Sequence, residues 1–279
     1  MPEGDTIYRT AVRLRAVMEG KRIKAVRGRD PALDTATLSG EEVTEIEARG
    51  KHLLIHTSSE QTIHSHMGMT GSWHLYQQGQ TWQKPEKWAA LVLEMQLAVK
   101  PQTAPGSTET SPSVAVCFSP KTLELLSATG LRRHPYLGRL GPDILATHFE
   151  PSEMVPRFRS HDRVPIGEAV MNQTILCGIG NIYKSEILFL RRIDPFCRVS
   201  DLADQQLTEL VALARKLMRR NLSGHLRQTR FTGDGARLWA YGRSGKPCLE
   251  CGQRIQTRRQ GTLGRITFWC PNCQSSPSR

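Results

Sequence analysis

Four cysteines near the end of the chain limit what it can fold into more than any other feature of the sequence. They are Cys248, Cys251, Cys270 and Cys273, in the pattern Cys-x2-Cys, eighteen residues, Cys-x2-Cys. This spacing matches the zinc-ribbon pattern, in which about 15–20 residues separate the two pairs. Four thiolates form a closed tetrahedral site, so the sequence predicts one structural Zn2+ that takes no part in chemistry. Two disulfides are the alternative, and the reducing interior of a cell disfavours them.

Positive charge is concentrated in the same part of the chain. The 279 residues carry a formal net charge of +12, and residues 215–279 hold fourteen lysines and arginines against two acids, Asp234 and Glu250. A basic block of this kind is typical of a domain that binds a polyanion. The charge therefore predicts a nucleic-acid partner, with a basic face that serves only solubility as the alternative.

The sequence favours neither membrane insertion nor export. No apolar run reaches the roughly 18 residues of a membrane helix. The opening MPEGDTIYRT carries acids where a signal peptide has a basic patch and then an apolar stretch. We expect a protein that needs no membrane and works in the cytoplasm.

Hydrophobic periodicity predicts an α+β fold. Residues 5–19 have apolar side chains at helical spacing, with Asp5 expected as the N-cap. Between about residue 22 and residue 128 the chain has β-favouring runs bounded by Gly, Pro and Ser, and these are VTEIEA, HLLIHT, QTIHSH, AALVLEM and VAVCF. Helical periods follow, with helices expected from Pro165 and from Asp204. The Pro-, Ser- and Thr-rich residues 100–113 are predicted to be a flexible insertion, and residues 130–143 are a candidate linker.

A Gly-x-Gly turn precedes one of these helices, in the segment CGIGNIYKSEILFLRR, where Asn181 is expected to be the helix N-cap. Two helices joined by such a turn resemble a helix–turn–helix unit. The free amides at a helix N-terminus bind anions, and with a basic surface the expected anion is a DNA phosphate. The alternative is a tight turn that needs glycine for backbone reasons alone.

The first residues offer a nucleophile. Removal of Met1 would leave Pro2 with a free secondary amine, and an α-amino group has a pKa of only about 7.7–8.0. Attack of this amine on a sugar C1′ gives an iminium ion, so the same adduct can break a glycosidic bond and then the strand by β-elimination. Glu3 stands beside it and could move protons. Taken alone, a Pro-Glu pair is weak evidence.

Six segments together are far more specific, and the chain that carries them resembles the formamidopyrimidine-DNA glycosylase/endonuclease VIII family of bifunctional DNA glycosylases. PEGD and the tryptophan-rich ribbon resemble the endonuclease VIII branch. The segments are PEGDT (2–6), ARGKHLLIH (48–56), HSHMGMTGSW (64–73), QTILCGIGNIYKSEI (173–187), WAYGRSGKPCLECG (239–252) and GRITFWCPNCQ (264–274). The resemblance therefore covers essentially the whole chain.

The resemblance implies three domains. They are an N-terminal β-sandwich flanked by helices (residues 1–129), a helix–two-turn–helix domain (130–238) and a C-terminal zinc finger (239–279). It also implies catalytic roles, with Pro2 as the Schiff-base nucleophile, Glu3 as the proton donor and Lys51 as a phosphate contact that assists elimination.

DNA-binding roles follow from the same resemblance. Asn181 and Arg265 would bind phosphates, and Met69 would insert into the base stack when the damaged base is flipped out. Core packing is the alternative for Met69. His64 and His66 are expected to be hydrogen-bonded strand residues and not catalytic ones.

The sequence also departs from the family pattern. Thr6 stands near the place where the family often has a second glutamate, which puts the usual proton network in question. The Asp-Pro-Arg-Arg-Phe segment of the formamidopyrimidine branch is absent, and FSPKTLELLSATGLRRHP stands in its place. The insertion at residues 100–113 corresponds to none of the six segments that carry the resemblance.

These expectations together describe a repair enzyme. It would excise oxidised bases, pyrimidines in preference, and nick the strand by β- and δ-elimination. An 8-oxoguanine- or formamidopyrimidine-directed glycosylase and a non-catalytic zinc-ribbon damage binder are the alternatives. We expect damaged DNA as partner, one Zn2+, no small-molecule cofactor, a monomer as in the family, and a bacterial, nucleoid-associated location.

Overall fold

The computed structural model describes residues 2–31, 33–96, 113–224 and 226–275. Contacts between residues divide the chain into two compact units. One contains Pro2 and Thr6–Gly138, and the other contains Glu3–Asp5 and the chain from Arg139 onward. The first three residues of the second unit therefore come from the opposite end of the sequence. The three-domain division at 129/130 and 238/239 remains a prediction.

The first unit contains helix α1 from Thr6 onward and two four-stranded antiparallel sheets. Helix α1 spans Gly4–Met18 and buries the predicted apolar stripe. The strands are β1 (Ile23–Gly28), β2 (Val43–Arg49), β3 (His52–Thr57), β4 (Thr62–His66), β5 (Ser72–Tyr76), β6 (Ala89–Met95), β7 (Val114–Phe118) and β8 (Thr122–Leu126). Their order is β1-β6-β7-β5 in one sheet and β2-β3-β4-β8 in the other.

A closely packed core fills this unit. Leu53 and Ile55 of β3 and Ile63 of β4 are fully buried in one cluster with the apolar face of α1. The buried indole of Trp73 donates to Ser65 Oγ at 3.0 Å, so the polar groups of this pair inside the core are satisfied. The five predicted strand runs are confirmed. The predicted insertion lies outside the described residues except for Ser113.

The short helix α2 (Ala128–Arg132) ends the helices and strands of the first unit. In the second unit the helices are α3 (Val155–Arg159), α4 (Ile166–Ala169), α5 (Asn181–Leu190) and α6 (Asp204–Arg220), and a hairpin of β9 (Gln256–Gln260) and β10 (Arg265–Trp269) follows. Short 3-10 turns lie at Thr35–Leu38, Glu86–Trp88, Leu137–Arg139, Pro151–Met154 and Val199–Asp201.

Helix α6 buries its predicted stripe, from Leu207 to Met218, against α3 and α5. Two details of the sequence reading were wrong. The helix expected from Pro165 is a single turn, and Asp204 is the first residue of α6, after an N-cap at Ala203. Within the described ranges, no helix combines the length and the apolar character needed to span a membrane.

Candidate functional site

The carboxylate of Glu3 lies on the N-terminus of α5. Its Oε2 accepts hydrogen bonds from the backbone amides of Gly180 at 3.0 Å and Tyr183 at 3.3 Å, and its Oε1 accepts from Ile182 N at 2.8 Å. The side chain is fully buried. Free amides and the positive end of the helix dipole both favour an anion here. The anion is therefore the chain's own Glu3, and the expectation of a DNA phosphate at these amides was wrong.

The Gly-x-Gly turn leaves room for this contact. A Cβ at Gly180 would lie 2.5 Å from Cδ of Glu3, so a larger residue would displace the carboxylate. Gly178 has φ of +111°, and its carbonyl accepts from Gly4 N at 2.9 Å. The turn thus binds the residues on both sides of the Glu3–Gly4 peptide bond.

Asn181 links α5 to the β9–β10 hairpin. It is the first residue of the helix, after an N-cap at Gly180, so the prediction of Asn181 as N-cap was wrong. Its side-chain Nδ2 donates to the carbonyl of Ile266 at 2.8 Å. Since Arg265 is the neighbour of Ile266 at the start of β10, this bond brings Asn181 and Arg265 together in the second unit.

Sequence reasoning did not single out Lys184. It is almost completely buried on α5, its Nζ donates to Thr267 Oγ1 at 2.8 Å, and burial lowers its pKa to about 8. It borders a cavity of about 420 Å³, whose polar lining includes His161, Glu168, Gln173, Lys184, Gln260 and Arg265. Because every residue from Asn181 to Phe189 is buried, α5 has no polar face whose pattern could have revealed this lysine.

The other predicted site residues lie in the first unit. Pro2 and Lys51 are half-buried, with Lys51 in the turn between β2 and β3. Met69, in the turn before β5, is 66% exposed, so the core-packing alternative for Met69 is wrong.

Histidines of β3 and β4 form a hydrogen-bonded group, as expected. His52 Nδ1 and His64 Nε2 lie 2.8 Å apart, and the rings of His52 and His66 are 4.9 Å apart. Burial and the neighbouring positive charges lower the pKa of His52 to about 3 and that of His66 to about 4. Burial also lowers the pKa of His64. These rings are therefore neutral near pH 7.

Ligand-type atoms of His64, Glu124 and His134 lie within 4.8 Å of one another, close enough to share a metal ion. The hydrogen bonds of His134 argue against one. Its Nδ1 accepts from the amides of Tyr136 at 3.3 Å and Leu137 at 3.1 Å, so Nε2 carries the hydrogen and donates to Glu124 at 3.2 Å. This tautomer has no lone pair left for a metal.

The four cysteines of the ribbon lie together at the base of the β9–β10 hairpin. Their sulfur atoms are within 4.8 Å of one another and could hold a metal ion. The Cys251 and Cys270 sulfurs are 3.4 Å apart, and Cys248 and Cys273 are 3.9 Å apart, too far for disulfides. The backbone amides of Glu250 and Cys273 donate to sulfurs of the group, a contact that favours thiolates.

Known proteins resemble this chain over its whole length. The family model described as the formamidopyrimidine-DNA glycosylase N-terminal domain matches residues 1–105, and that of the H2TH domain of the same glycosylase matches residues 140–231. "Probable endonuclease 8 2" of Streptomyces coelicolor is 34% identical, over 100% of this chain and 95% of its own. "DNA-(apurinic or apyrimidinic site) lyase Nei2" of Mycolicibacterium smegmatis is 36% identical, over 99% of this chain and 100% of its own.

Solved structures show the same fold. The MutM (Fpg) protein from Thermus thermophilus superposes with a TM-score of 0.78 at 26% identity, covering 99% of this chain and 100% of its own. Lactococcus lactis formamidopyrimidine-DNA glycosylase, bound to DNA that contains an AP site, superposes with a TM-score of 0.76 at 21% identity and the same coverage.

Proposed function

Because this chain belongs to the formamidopyrimidine-DNA glycosylase family, we propose that it is a bifunctional DNA glycosylase and AP lyase of the endonuclease VIII branch. It excises oxidised pyrimidines in base excision repair and then nicks the strand. The observation that carries the proposal is the Glu3 carboxylate, which three backbone amides hold beside Pro2 in the sequence. The family's relatives named endonuclease 8 support the branch.

The chemistry begins at Pro2. Its amine bonds to C1′, the bond from C1′ to the damaged base breaks, and the base leaves with the electron pair and takes up a proton. The Glu3 carboxylate takes the proton that the Pro2 nitrogen gives up and delivers it to the ring oxygen as the sugar opens, which leaves an iminium between Pro2 and C1′. Loss of the C2′ proton then expels the 3′-phosphate, a second elimination expels the 5′-phosphate, and water releases the amine.

Binding relies on phosphate contacts and on base flipping. Lys51, Asn181 and Arg265 contact phosphates next to the lesion, where charged donors position the strand. Met69 inserts into the gap that the flipped base leaves, and its 66% exposure leaves the side chain available for this role.

The ribbon binds one structural Zn2+ through Cys248, Cys251, Cys270 and Cys273. The donor set fits, because four clustered sulfurs make a closed tetrahedral site that suits zinc. The ion stabilises the hairpin that carries Arg265.

The preference for pyrimidines rests on the segment that replaces Asp-Pro-Arg-Arg-Phe. Because Asp-Pro-Arg-Arg-Phe is absent, the chain does not supply that segment's contacts to a cytosine opposite the lesion. A panel of duplexes with single lesions separates this preference from the purine-directed alternative. Faster excision of 8-oxoguanine than of thymine glycol would favour the alternative.

Cyanoborohydride trapping tests the reaction itself. Wild-type protein is mixed with duplexes that carry thymine glycol or an abasic site, and the adduct is reduced. We expect a covalent protein–DNA band on both substrates. Glu3→Gln should lose the band on thymine glycol and retain part of it on the abasic site, where no base has to leave.

The matched control is Pro2→Leu, in which the bulky second residue keeps Met1 and removes the secondary amine. It should give no band on either substrate. No band with the wild type, together with intact DNA binding, would instead favour the non-catalytic damage binder. Intact-mass analysis of the N-terminus shows whether Met1 has been removed.

We also propose that the protein acts on DNA as a monomer, without a small-molecule cofactor, in the bacterial cytoplasm near the nucleoid. The bacterial relatives support this location. Light scattering with and without a lesion duplex tests the oligomeric state.

A further inference from the structure

A second acid from the start of the chain is fixed in the second unit. Asp5 is fully buried and lies inside the first turn of α1, so the expectation that it caps this helix was wrong. Its Oδ2 accepts from Arg227 Nε at 2.9 Å, and its Oδ1 accepts from the Nη2 of the same guanidinium. The Arg227 side chain is only 10% exposed, so this is a two-bonded ion pair away from water.

Tyr183 connects this pair to Glu3. Its hydroxyl donates to Asp5 Oδ2 at 3.2 Å, while its backbone amide donates to Glu3 Oε2 at 3.3 Å. The guanidinium carbon of Arg227 lies 5.1 Å from the centre of the Tyr183 ring. Tyr183 of α5 therefore contacts both acids, so a movement of Asp5 would displace Tyr183 and, through it, Glu3.

The two residues that follow Arg227 are anchored by hydrogen bonds. The backbone of its neighbour Gln228 exchanges two hydrogen bonds, each 2.8 Å long, with the side chain of Asn221 at the end of α6. Thr229 donates to the buried carboxylate of Glu186 on α5. The guanidinium is thus presented to Asp5 from an anchored segment and does not reach it from a free loop.

Stability alone is a poor explanation for such a pair. Removing two charges from water costs about as much as their attraction returns, and well-packed apolar side chains of similar volume serve folding equally well. A planar guanidinium fork does fix direction and distance. The Arg227 guanidinium also offsets the negative charge of Asp5, which would otherwise add to that of Glu3 in one buried region.

We propose that Asp5 and Arg227 are positioning residues for the reaction at the chain's first residues. The pair fixes the backbone three residues after Pro2, so the amine and the Glu3 carboxyl are presented to the lesion sugar in one orientation. This inference rests on the proposed function. It assigns no proton transfer and no DNA contact to Asp5 or Arg227.

The test compares Asp5→Asn, Arg227→Gln and the double variant with the wild type. Three quantities are measured, which are the single-turnover rate of base excision, the trapping rate on an abasic duplex, and the Kd for a duplex with an uncleavable abasic analogue. We expect each single change to slow both rates about 10- to 100-fold, because small displacements of reacting groups have effects of this size. The Kd should change less than about threefold, since binding and chemistry are separable. The double variant should be no slower than the slower single variant, because the two residues act as one unit.

Asp204→Asn is the matched control. Asp204 Oδ1 accepts two hydrogen bonds from the guanidinium of Arg159 in the same unit, but its side chain is 69% exposed and it contacts none of these groups in the described structure. It should retain wild-type rates. Thermal unfolding of each variant sets an assay temperature at which all are folded, and Arg227→Lys, which keeps the charge but loses the fork, should recover only part of the rate.

Four results would overturn the inference. The first is wild-type rates in Asp5→Asn and Arg227→Gln. The second is a loss of affinity alone, seen as a higher Kd, which would make Arg227 a DNA contact. The third is additive losses of rate in the double variant, and the fourth is full recovery of the rate by Arg227→Lys. A wild type that neither excises nor traps would instead refute the proposed function on which the inference rests.

Discussion

At the scale of single residues, Gly180 leaves the space that the Glu3 carboxylate occupies. Its φ of −126° is open to any residue, so the requirement for glycine is steric and not conformational. The contact joins residues 177 positions apart, and no local pattern in either segment announces it. Sequence reasoning recognised the turn and the acid separately, and it assigned the amides to a ligand because the pairing is long-range.

Gly180→Ala tests whether the Glu3 carboxylate needs this space. The added Cβ would lie 2.5 Å from Cδ of Glu3, so the carboxylate must leave its amides. We expect base excision to slow at least about tenfold, with a loss of stability of about 1–3 kcal/mol from unsatisfied amides. Single-turnover excision and thermal unfolding measure the two effects.

Gly224→Ala is the control, because its nearest non-neighbouring atom would be 3.9 Å from the new Cβ. It should leave excision unchanged. Equal excision rates for Gly180→Ala and the wild type would show that Glu3 does not need this position.

At the scale of elements, the three strands that the sequence did not reveal share a feature. They are β1, β5 and β8 of the first unit, and all are edge strands of their sheets, although the fourth edge strand, β2, was predicted. Half-buried residues run along β8 with no alternation at all. Edge strands face solvent along one side, which weakens the apolar pattern from which a strand is recognised.

The β9–β10 hairpin is an element that depends on its metal ligands. Its local core is small and consists of Phe189, Ala240, Cys248, Ile255 and Cys270. Two of these five are proposed zinc ligands, so apolar burial alone is too little to fold the hairpin. Only the cysteine spacing made this element predictable from the sequence.

We therefore expect a strong chelator to unfold the hairpin and abolish DNA binding, with the loss of one zinc per chain. Metal analysis, amide exchange in the hairpin and a binding assay measure the three changes. Cys197→Ser is the control, since Cys197 is half-buried apart from the group and should change none of them. DNA binding that survives verified zinc loss would contradict this prediction.

The histidines of β3 and β4 make the first unit sensitive to acid. The pKa values of His52 and His66 are about 3 and about 4 in the folded protein, against 6.5 for the ordinary side chain. These histidines therefore bind protons in the unfolded chain at a pH where they remain neutral in the folded chain, so stability is lost as the pH falls below about 6.5.

Each such histidine should contribute up to about 1.4 kcal/mol per pH unit to this loss. Denaturant unfolding between pH 7 and pH 5 measures it, and His66→Gln should make the decline shallower. A free energy of unfolding that does not change over this range would show that the rings are not held neutral.

At the scale of the whole molecule, net charge is divided very unevenly along the chain. Residues 215–279 account for the entire net charge of +12, and the remainder of the chain is close to neutral. The distribution of charge along the sequence predicted a nucleic-acid partner, because an uneven charge is visible without any knowledge of contacts. It could not show which cations reach the partner, since that depends on which side chains the fold buries.

Binding should accordingly weaken with salt, because each neutralised phosphate releases counterions. A plot of log Kd against log salt gives the slope, and Arg265→Gln should reduce it by about 0.9. Arg22→Gln is the comparison, because Arg22 is engaged with Gly40 and Glu42. An unchanged slope for Arg265→Gln would remove this residue from the phosphate contacts.

The membership of Glu3–Asp5 in the second unit has a consequence for connectivity. The backbone passes between the units twice more after Pro2, once after Asp5 and once after Gly138. A fragment that starts at Arg139 lacks the carboxylate that satisfies the amides of Gly180 and Ile182. A fragment that ends at Gly138 contains the Glu3 carboxylate but lacks the α5 amides that donate hydrogen bonds to it. A single backbone cut after Gly138 therefore separates Glu3–Asp5 in the chain from the remainder of the second unit.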